Sequence, residues 1–96
     1  MMKVITLDAS GWRSADDFYS ALLPQLGAPA WHGRNLDALD DSLGVGGINA
    51  LEPPFRVEIA GAGKLPEAMQ RFLTDVERVF ADVRAETQKQ IEFHLS

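Results

Sequence analysis

A stripe of apolar side chains in the second half of the chain limits the possible folds more than any other feature. Its members recur at helical spacing for about four turns, and Pro66 stands just before them, where a helix readily begins. A helix with one apolar face must bury that face against another layer of structure. The stripe consists of Met69, Phe72, Leu73, Val76, Val79, Phe80 and Val83.

Three short segments have the composition of β-strands and could form that layer. Residues 3–7 are apolar and β-branched and precede a turn that starts at Asp8, so they predict a buried first strand. Residues 55–60 follow a proline pair and predict a second strand, which ends at a glycine turn. A final strand is predicted where apolar and polar residues alternate, at Ile91, Phe93 and Leu95.

Two further helices are predicted between the first two strands. Ser14 and Asp17 have the spacing of a capping box, and Gly27 ends the helix that they start. A shorter helix begins after Asn35, a favourable N-cap residue, and ends at the glycines from Gly44 onward. The inward faces of the two helices are predicted to hold Phe18, Ala21, Leu22 and Leu26, and then Leu36, Leu39 and Leu43.

The order strand, helix, helix, strand, helix, strand favours an α/β fold. Its connections are long enough for crossovers, which predicts a three-stranded, mainly parallel sheet packed by three to four helices. With 96 residues, the chain has room for a single domain over residues 1–96.

The charge balance narrows the class of partner. The formal net charge is −5 and the isoelectric point about 4.8, so nucleic-acid phosphates would be repelled, and a basic protein is the expected partner. There is no cysteine, which excludes disulfides and thiolate metal sites. The apolar start of the chain meets Asp8 too early for a signal peptide or a membrane span. We therefore expect a cytoplasmic protein that does not bind membranes.

The segment from Pro29 to Leu43 carries the clearest functional signal. If its leucines point inward, Asp37 and Asp41 share the opposite helix face, with Asp40 beside them. Like charges one turn apart cost roughly 0.2–0.5 kcal/mol per pair, and only Asp37 lies where the helix dipole offsets that cost. Carboxylates in this arrangement could imitate a polyanionic substrate, with Trp31 as an apolar anchor.

The pattern by itself leaves simpler interpretations open. A charged outer face is often only a solvated surface, and a tryptophan after a proline covers a core about as often as it contacts a partner. An enzyme or cation site that combines His32 with the three aspartates is disfavoured, because the spacing suits no common ligand set and no nucleophile is paired with a base. We expect neither catalysis nor a cofactor or metal.

The run from Trp31 to Leu43 resembles the signature of the barstar family, inhibitors of barnase-type ribonucleases, and the order of elements matches over essentially the whole chain. This resemblance implies a sheet of three parallel strands with helices around it, and an inhibitory surface built from the loop before the second helix, that helix, and an acid on the long helix. It implies an intracellular inhibitor of a basic, secreted ribonuclease, monomeric when free. The partner-binding residues would be Trp31, His32, Gly33, Asn35, Asp37, Asp40, Asp41 and Asp82.

Within that set, Asp41 would hold the central position, in the place of a substrate phosphate. Asp40 replaces a tryptophan of the archetype, His32 replaces a second aromatic residue, and Arg34 places a cation where the archetype is acidic. Tight binding to barnase itself is therefore not expected, and an acidic interaction module for a basic partner that is not a nuclease is the alternative function. The resemblance also implies a cis peptide bond before Pro54.

Overall fold

Three strands and three helices follow the predicted order in the computed structural model, which describes residues 2–96. A short 3-10 turn at Ala62–Lys64 precedes the last helix. The elements are β1 (Lys3–Asp8), α1 (Ala15–Leu26), α2 (Leu36–Gly44), β2 (Phe55–Ala60), α3 (Glu67–Thr87) and β3 (Ile91–Leu95).

The strands form one sheet in the order β1, β2, β3, and both pairings are parallel. The register aligns Ile5 with Val57 and Val57 with Phe93, so one row of apolar side chains crosses the sheet. This arrangement confirms the α/β class and the parallel sheet that the order of elements predicted.

Burial alternates along every strand, so one face of the sheet is covered by the helical layer and the other face is open. In β1, Ile5 and Leu7 are buried, whereas Val4 is 43% exposed and Thr6 is also exposed. The prediction of a buried first strand was therefore wrong for Lys3, Val4 and Thr6 and right for Ile5 and Leu7. The reason is that the sheet is covered on one face only, so the second face of β1 meets solvent.

Local capping explains where the first helix begins and ends. The Asp17 carboxylate accepts hydrogen bonds from the backbone N–H groups of Arg13 (2.7 Å) and Ser14 (3.3 Å), as an acid at this position of a capping box does. At the other end Gly27 has φ of 65°, a left-handed conformation that suits glycine. A Cβ at Gly27 would lie 2.6 Å from the Cβ of Ala50, which belongs to the loop between α2 and β2. The close approach of that loop therefore also requires glycine.

The long helix supplies most of the second layer. It runs for 21 residues, which is longer than the apolar stripe predicted, and Pro66 is its N-cap. Phe80 lies fully buried between Phe55 and Phe93, with ring centroids 6.5 and 5.0 Å away. The stripe therefore does what its spacing predicted and closes the core over the central and last strands.

The loop between α2 and β2 returns the chain to the start of the sheet. Ala50 and Leu51 donate backbone hydrogen bonds to Gly27 and Leu26 at the end of α1. The bond between Pro53 and Pro54 is cis, as the resemblance implied.

Candidate functional site

The acidic helix α2 begins where its cap and the preceding loop are locked together. The Asn35 side-chain oxygen accepts a hydrogen bond from the backbone N–H of Ala38 at 2.7 Å, as predicted for an N-cap. A Cβ at Gly33 would lie 3.0 Å from the Cβ of Ala38 and 3.2 Å from the Asn35 amide nitrogen. Gly33 therefore allows the loop to pass close over the first turn of the helix.

Two faces of α2 differ in the way that its sequence predicted. Leu39 and Leu43 are buried in the core and Leu36 is half-buried, while Asp37, Asp40 and Asp41 are exposed. Among residues 2–96, no Lys, Arg or His side chain forms an ion pair with these three carboxylates. Three uncompensated negative charges thus share one surface.

Trp31 projects from the loop before α2. Its side chain is 74% exposed, the largest exposure among the large apolar side chains of residues 2–96. The interpretation of Trp31 as a lid on the core is therefore wrong. A large aromatic surface beside a group of carboxylates has the composition of an interface anchor with a charged surround.

His32, unlike its neighbour Trp31, is buried. It is only 7% exposed, and both of its ring nitrogens have partners: Nδ1 donates to the Gly33 carbonyl at 2.6 Å, and Nε2 lies 2.8 Å from the Ser42 hydroxyl. The imidazole therefore does not project toward a partner with Trp31. It is also not free to bind a cation, which removes the histidine from the metal interpretation that combined it with the three aspartates.

Ser42 is the residue of this site that the sequence did not single out. It is 6% exposed, and its hydroxyl lies 3.2 Å from the Leu39 carbonyl in addition to its contact with His32. Position 42 falls beside the buried Leu43 and three residues after the buried Leu39. A small polar residue on the inward side of an otherwise apolar helix face was the signal that could have found it.

Arg34 turns its charge away from α2 and onto α1. Its Nε donates to Asp16 Oδ1 at 2.6 Å, and its Nη2 donates to the Asp16 carbonyl (2.8 Å) and to the Ser20 hydroxyl (2.6 Å). The guanidinium is thus paired with an acid of another helix. Its positive charge compensates Asp16 instead of the acidic face of α2.

The last turn of α2 is held by a residue distant in sequence. Lys89, in the connection from α3 to β3, donates from Nζ to the Gly44 carbonyl at 2.9 Å and to the Leu43 carbonyl at 3.2 Å. A cation at a helix C-terminus satisfies carbonyls that have no partner within the helix and also interacts favourably with the helix dipole. This contact fixes the end of α2 that follows Asp41.

Asp82 lies on the exposed surface of α3, in the C-terminal half of that helix. Since α2 packs against α3, the two helices that carry the four aspartates are neighbours. Among the described residues, Asp82 forms no ion pair. The arrangement offers a basic partner a set of unpaired carboxylates, with Trp31 exposed beside the α2 group.

No helix within residues 2–96 is long and apolar enough to cross a membrane. A comparison with curated proteins gives no match. The comparison with protein families gives a match over residues 2–96 to Barstar, described as Barstar (barnase inhibitor). Because this match spans essentially the whole chain, and the fold has the three parallel strands and three helices described above, the chain belongs to the barstar family of barnase inhibitors.

Proposed function

We propose that this protein inhibits a basic, barnase-type ribonuclease by covering its active site with the exposed face of α2 and the loop that carries Trp31. The observation that carries the proposal is the group of exposed carboxylates of Asp37, Asp40 and Asp41, for which the described part of the chain supplies no cation. A ribonuclease site built to hold phosphates presents the cations that these groups lack. Asp82 on α3 would add a further negative charge.

The mechanism is steric and electrostatic, with no chemical step. Asp41 would occupy the place of a substrate phosphate, while Trp31 would supply apolar contact at the edge of the active site. Each carboxylate that pairs with a cation inside a desolvated interface contributes more than the same pair in water. Membership of an inhibitor family, and both ring nitrogens of His32 being held by the loop and α2, agree with a binding role and not a catalytic one.

The side chains at positions 40 and 34 indicate that the natural partner differs from barnase itself. Asp40 carries a charge where the archetype of the family has an apolar anchor. At position 34 the archetype has an acidic residue, whereas this chain has Arg34, which pairs with Asp16. A cognate ribonuclease with an additional cation opposite Asp40 would fit this surface best. We further propose that the inhibitor acts in the cytoplasm, where it would protect the cell before the ribonuclease is secreted.

An inhibition assay on purified proteins tests the proposal. Small basic ribonucleases, including one encoded in the same genome, are assayed for RNA cleavage with increasing amounts of the protein. We expect cleavage by the cognate enzyme to stop near a one-to-one ratio. Asp41→Ala should weaken binding at least tenfold, because it removes a central charge and leaves a cation of the ribonuclease without its partner. Stability should change little, since a like-charge neighbour of Asp37 is removed.

Glu77→Ala is the matched control, because it makes the same change of charge at an exposed position of α3. Glu77 lines a surface cavity with Glu92 and His94 on the β3 side of the helix, and no residue of α2 lines that cavity. The Glu77→Ala variant should inhibit the ribonuclease as well as the wild type does. If the two variants lose affinity equally, the effect belongs to net charge and not to this surface. Binding to a basic protein without nuclease activity would instead support the alternative role as an acidic interaction module.

A further inference from the structure

We infer that His32 and Ser42 form a positioning pair that holds the Trp31 loop in its binding conformation without touching the partner. This inference rests on the proposed function, in which the loop and α2 act as one surface. It assigns to His32 a role other than direct contact, and it adds Ser42, which neither the sequence pattern nor the resemblance indicated.

The hydrogen-bond geometry determines how the pair works. A carbonyl can only accept, so the 2.6 Å contact with Gly33 requires a proton on His32 Nδ1. In the neutral ring Nε2 is then an acceptor, and the Ser42 hydroxyl donates to it across 2.8 Å. In the charged ring Nε2 donates to the Ser42 oxygen, and the hydroxyl proton can turn to the Leu39 carbonyl at 3.2 Å. The bond between loop and helix exists in both protonation states.

The position of the pair explains why the loop would depend on it. The backbone N–H of His32 also donates to the Pro29 carbonyl at 3.0 Å. Trp31 therefore lies within a tight turn whose far end is fixed by the buried imidazole. Ser42 follows Asp41 directly on α2. The bond from His32 to Ser42 therefore joins the residue after the aromatic anchor to the residue after the central carboxylate. Binding to an already ordered surface avoids the entropy cost of ordering the loop at the moment of association.

Ser42→Ala separates positioning from general stability. It removes one oxygen from a buried site, adds no volume, and replaces serine by a better helix former, which offsets part of the lost hydrogen bond. Because the buried His32 Nε2 loses its partner, we expect a somewhat lower unfolding midpoint in urea for a protein that stays folded. The loop, by contrast, loses its only bond from the His32 ring to α2 among the described residues.

The first experiment measures loop order in the free protein, and so it does not depend on the partner. In ¹⁵N relaxation measurements, the amides of Trp31 and Gly33 should have order parameters of about 0.85 in the wild type and below about 0.6 in Ser42→Ala. Thr74→Ala is the control, because it removes a hydroxyl that bonds to the Gln70 carbonyl in α3, outside the site. Unchanged order parameters in Ser42→Ala would overturn the inference.

The second experiment measures affinity for the ribonuclease identified by the inhibition assay. Ser42→Ala and His32→Ala should each weaken binding by about fivefold to tenfold, and the double variant should be no weaker than His32→Ala, since both changes break the same bond. Additive losses would show that each side chain acts separately and would overturn the pairing. If no ribonuclease binds the wild type, the proposed function fails, while the relaxation measurement still decides the positioning role.

Discussion

Burial changes the acid–base properties of one side chain in this protein, that of Tyr19. It is 1% exposed, and its ring packs edge-on against Phe18 and Phe72, with centroids 5.2 and 5.9 Å apart. Its hydroxyl has no hydrogen-bond partner within the part of the chain that the structure describes. Burial raises the pKa of Tyr19 to about 12, because the apolar surroundings disfavour the phenolate.

The raised pKa predicts a loss of stability in alkaline solution. Above a pH of about 10, tyrosine in the unfolded chain releases its proton, whereas the buried Tyr19 keeps its proton until a pH of about 12. The unfolded state is therefore favoured progressively across this interval, and the stability that the neutral side chain contributes is lost as the pH rises. Tyr19→Phe should unfold at the same or a higher urea concentration near neutral pH, because no hydrogen bond is removed, and its stability should fall less between pH about 9 and about 11.

Urea unfolding of the two proteins over this pH range checks the prediction. The ionisation can also be followed directly by ultraviolet absorbance, since Tyr19 is the only tyrosine in the chain. Identical pH dependence in the wild type and in Tyr19→Phe would contradict the argument, as would a titration of the folded protein at the pKa of a free tyrosine.

The sequence predicted residues whose role depends on near neighbours in the chain. Asn35 caps α2 three residues away, and Asp17 accepts from the backbone N–H of Ser14, so local spacing was sufficient for both. The position of Arg34 could not be predicted, because its partner Asp16 is 18 residues away and belongs to another helix. The pairing of His32 with Ser42 was hidden for the same reason, since it depends on how the loop folds over α2.

At the scale of elements, the contact between Lys89 and the end of α2 has a measurable consequence. Lys89 is half-buried and donates to the carbonyls of Leu43 and Gly44. Lys89→Met keeps the length of the aliphatic chain but leaves both carbonyls without this donor. We expect a loss of about 1–2 kcal/mol in the free energy of unfolding, from a charged hydrogen bond and its interaction with the helix dipole. Urea unfolding measures this loss.

Lys64→Met provides the comparison for this variant. Lys64 is exposed at the end of the 3-10 turn, so the same substitution there should change stability by less than about 0.5 kcal/mol. Equal effects of the two substitutions would mean that the hydrogen bonds from Lys89 contribute nothing measurable to the free energy of unfolding.

Helices and strands were predictable to the extent that their burial is one-sided. The stripe on α3 and the leucines of α2 define an apolar face, and each helix lies with that face inward. The apolar run of β1 could not show that Val4 would be exposed, because a single strand does not reveal whether one or both faces of its sheet are covered. The three-residue turn at Ala62–Lys64 was predicted only as a glycine turn, since it is too short to have a periodic pattern.

Across the described residues, the open face of the sheet and the acidic face of α2 differ in how their carboxylates are compensated. On the open face of the sheet, Arg56 lies 2.8 Å from Glu58 and 4.0 Å from Glu92, and Glu92 contacts His94 at 2.9 Å. The acidic face of α2 has no such compensation among residues 2–96. Under the proposed function, we expect this group of carboxylates, in a protein of net charge −5, to attract a basic partner toward α2.

This asymmetry predicts how salt should act on the complex with a basic ribonuclease. The association rate should fall steeply as sodium chloride increases toward physiological ionic strength, where the Debye length is about 8 Å, because screening removes the long-range attraction. The dissociation rate should change much less, since contacts inside a desolvated interface are poorly screened. Stopped-flow association at several salt concentrations measures the first rate, and competition with labelled inhibitor measures the second. Glu77→Ala should keep nearly the whole salt dependence, whereas Asp41→Ala should reduce it. The reason is that Asp41, unlike Glu77, lies on the face of α2 toward which the partner is steered. An association rate that does not depend on salt would show that the unpaired carboxylates do not guide the encounter.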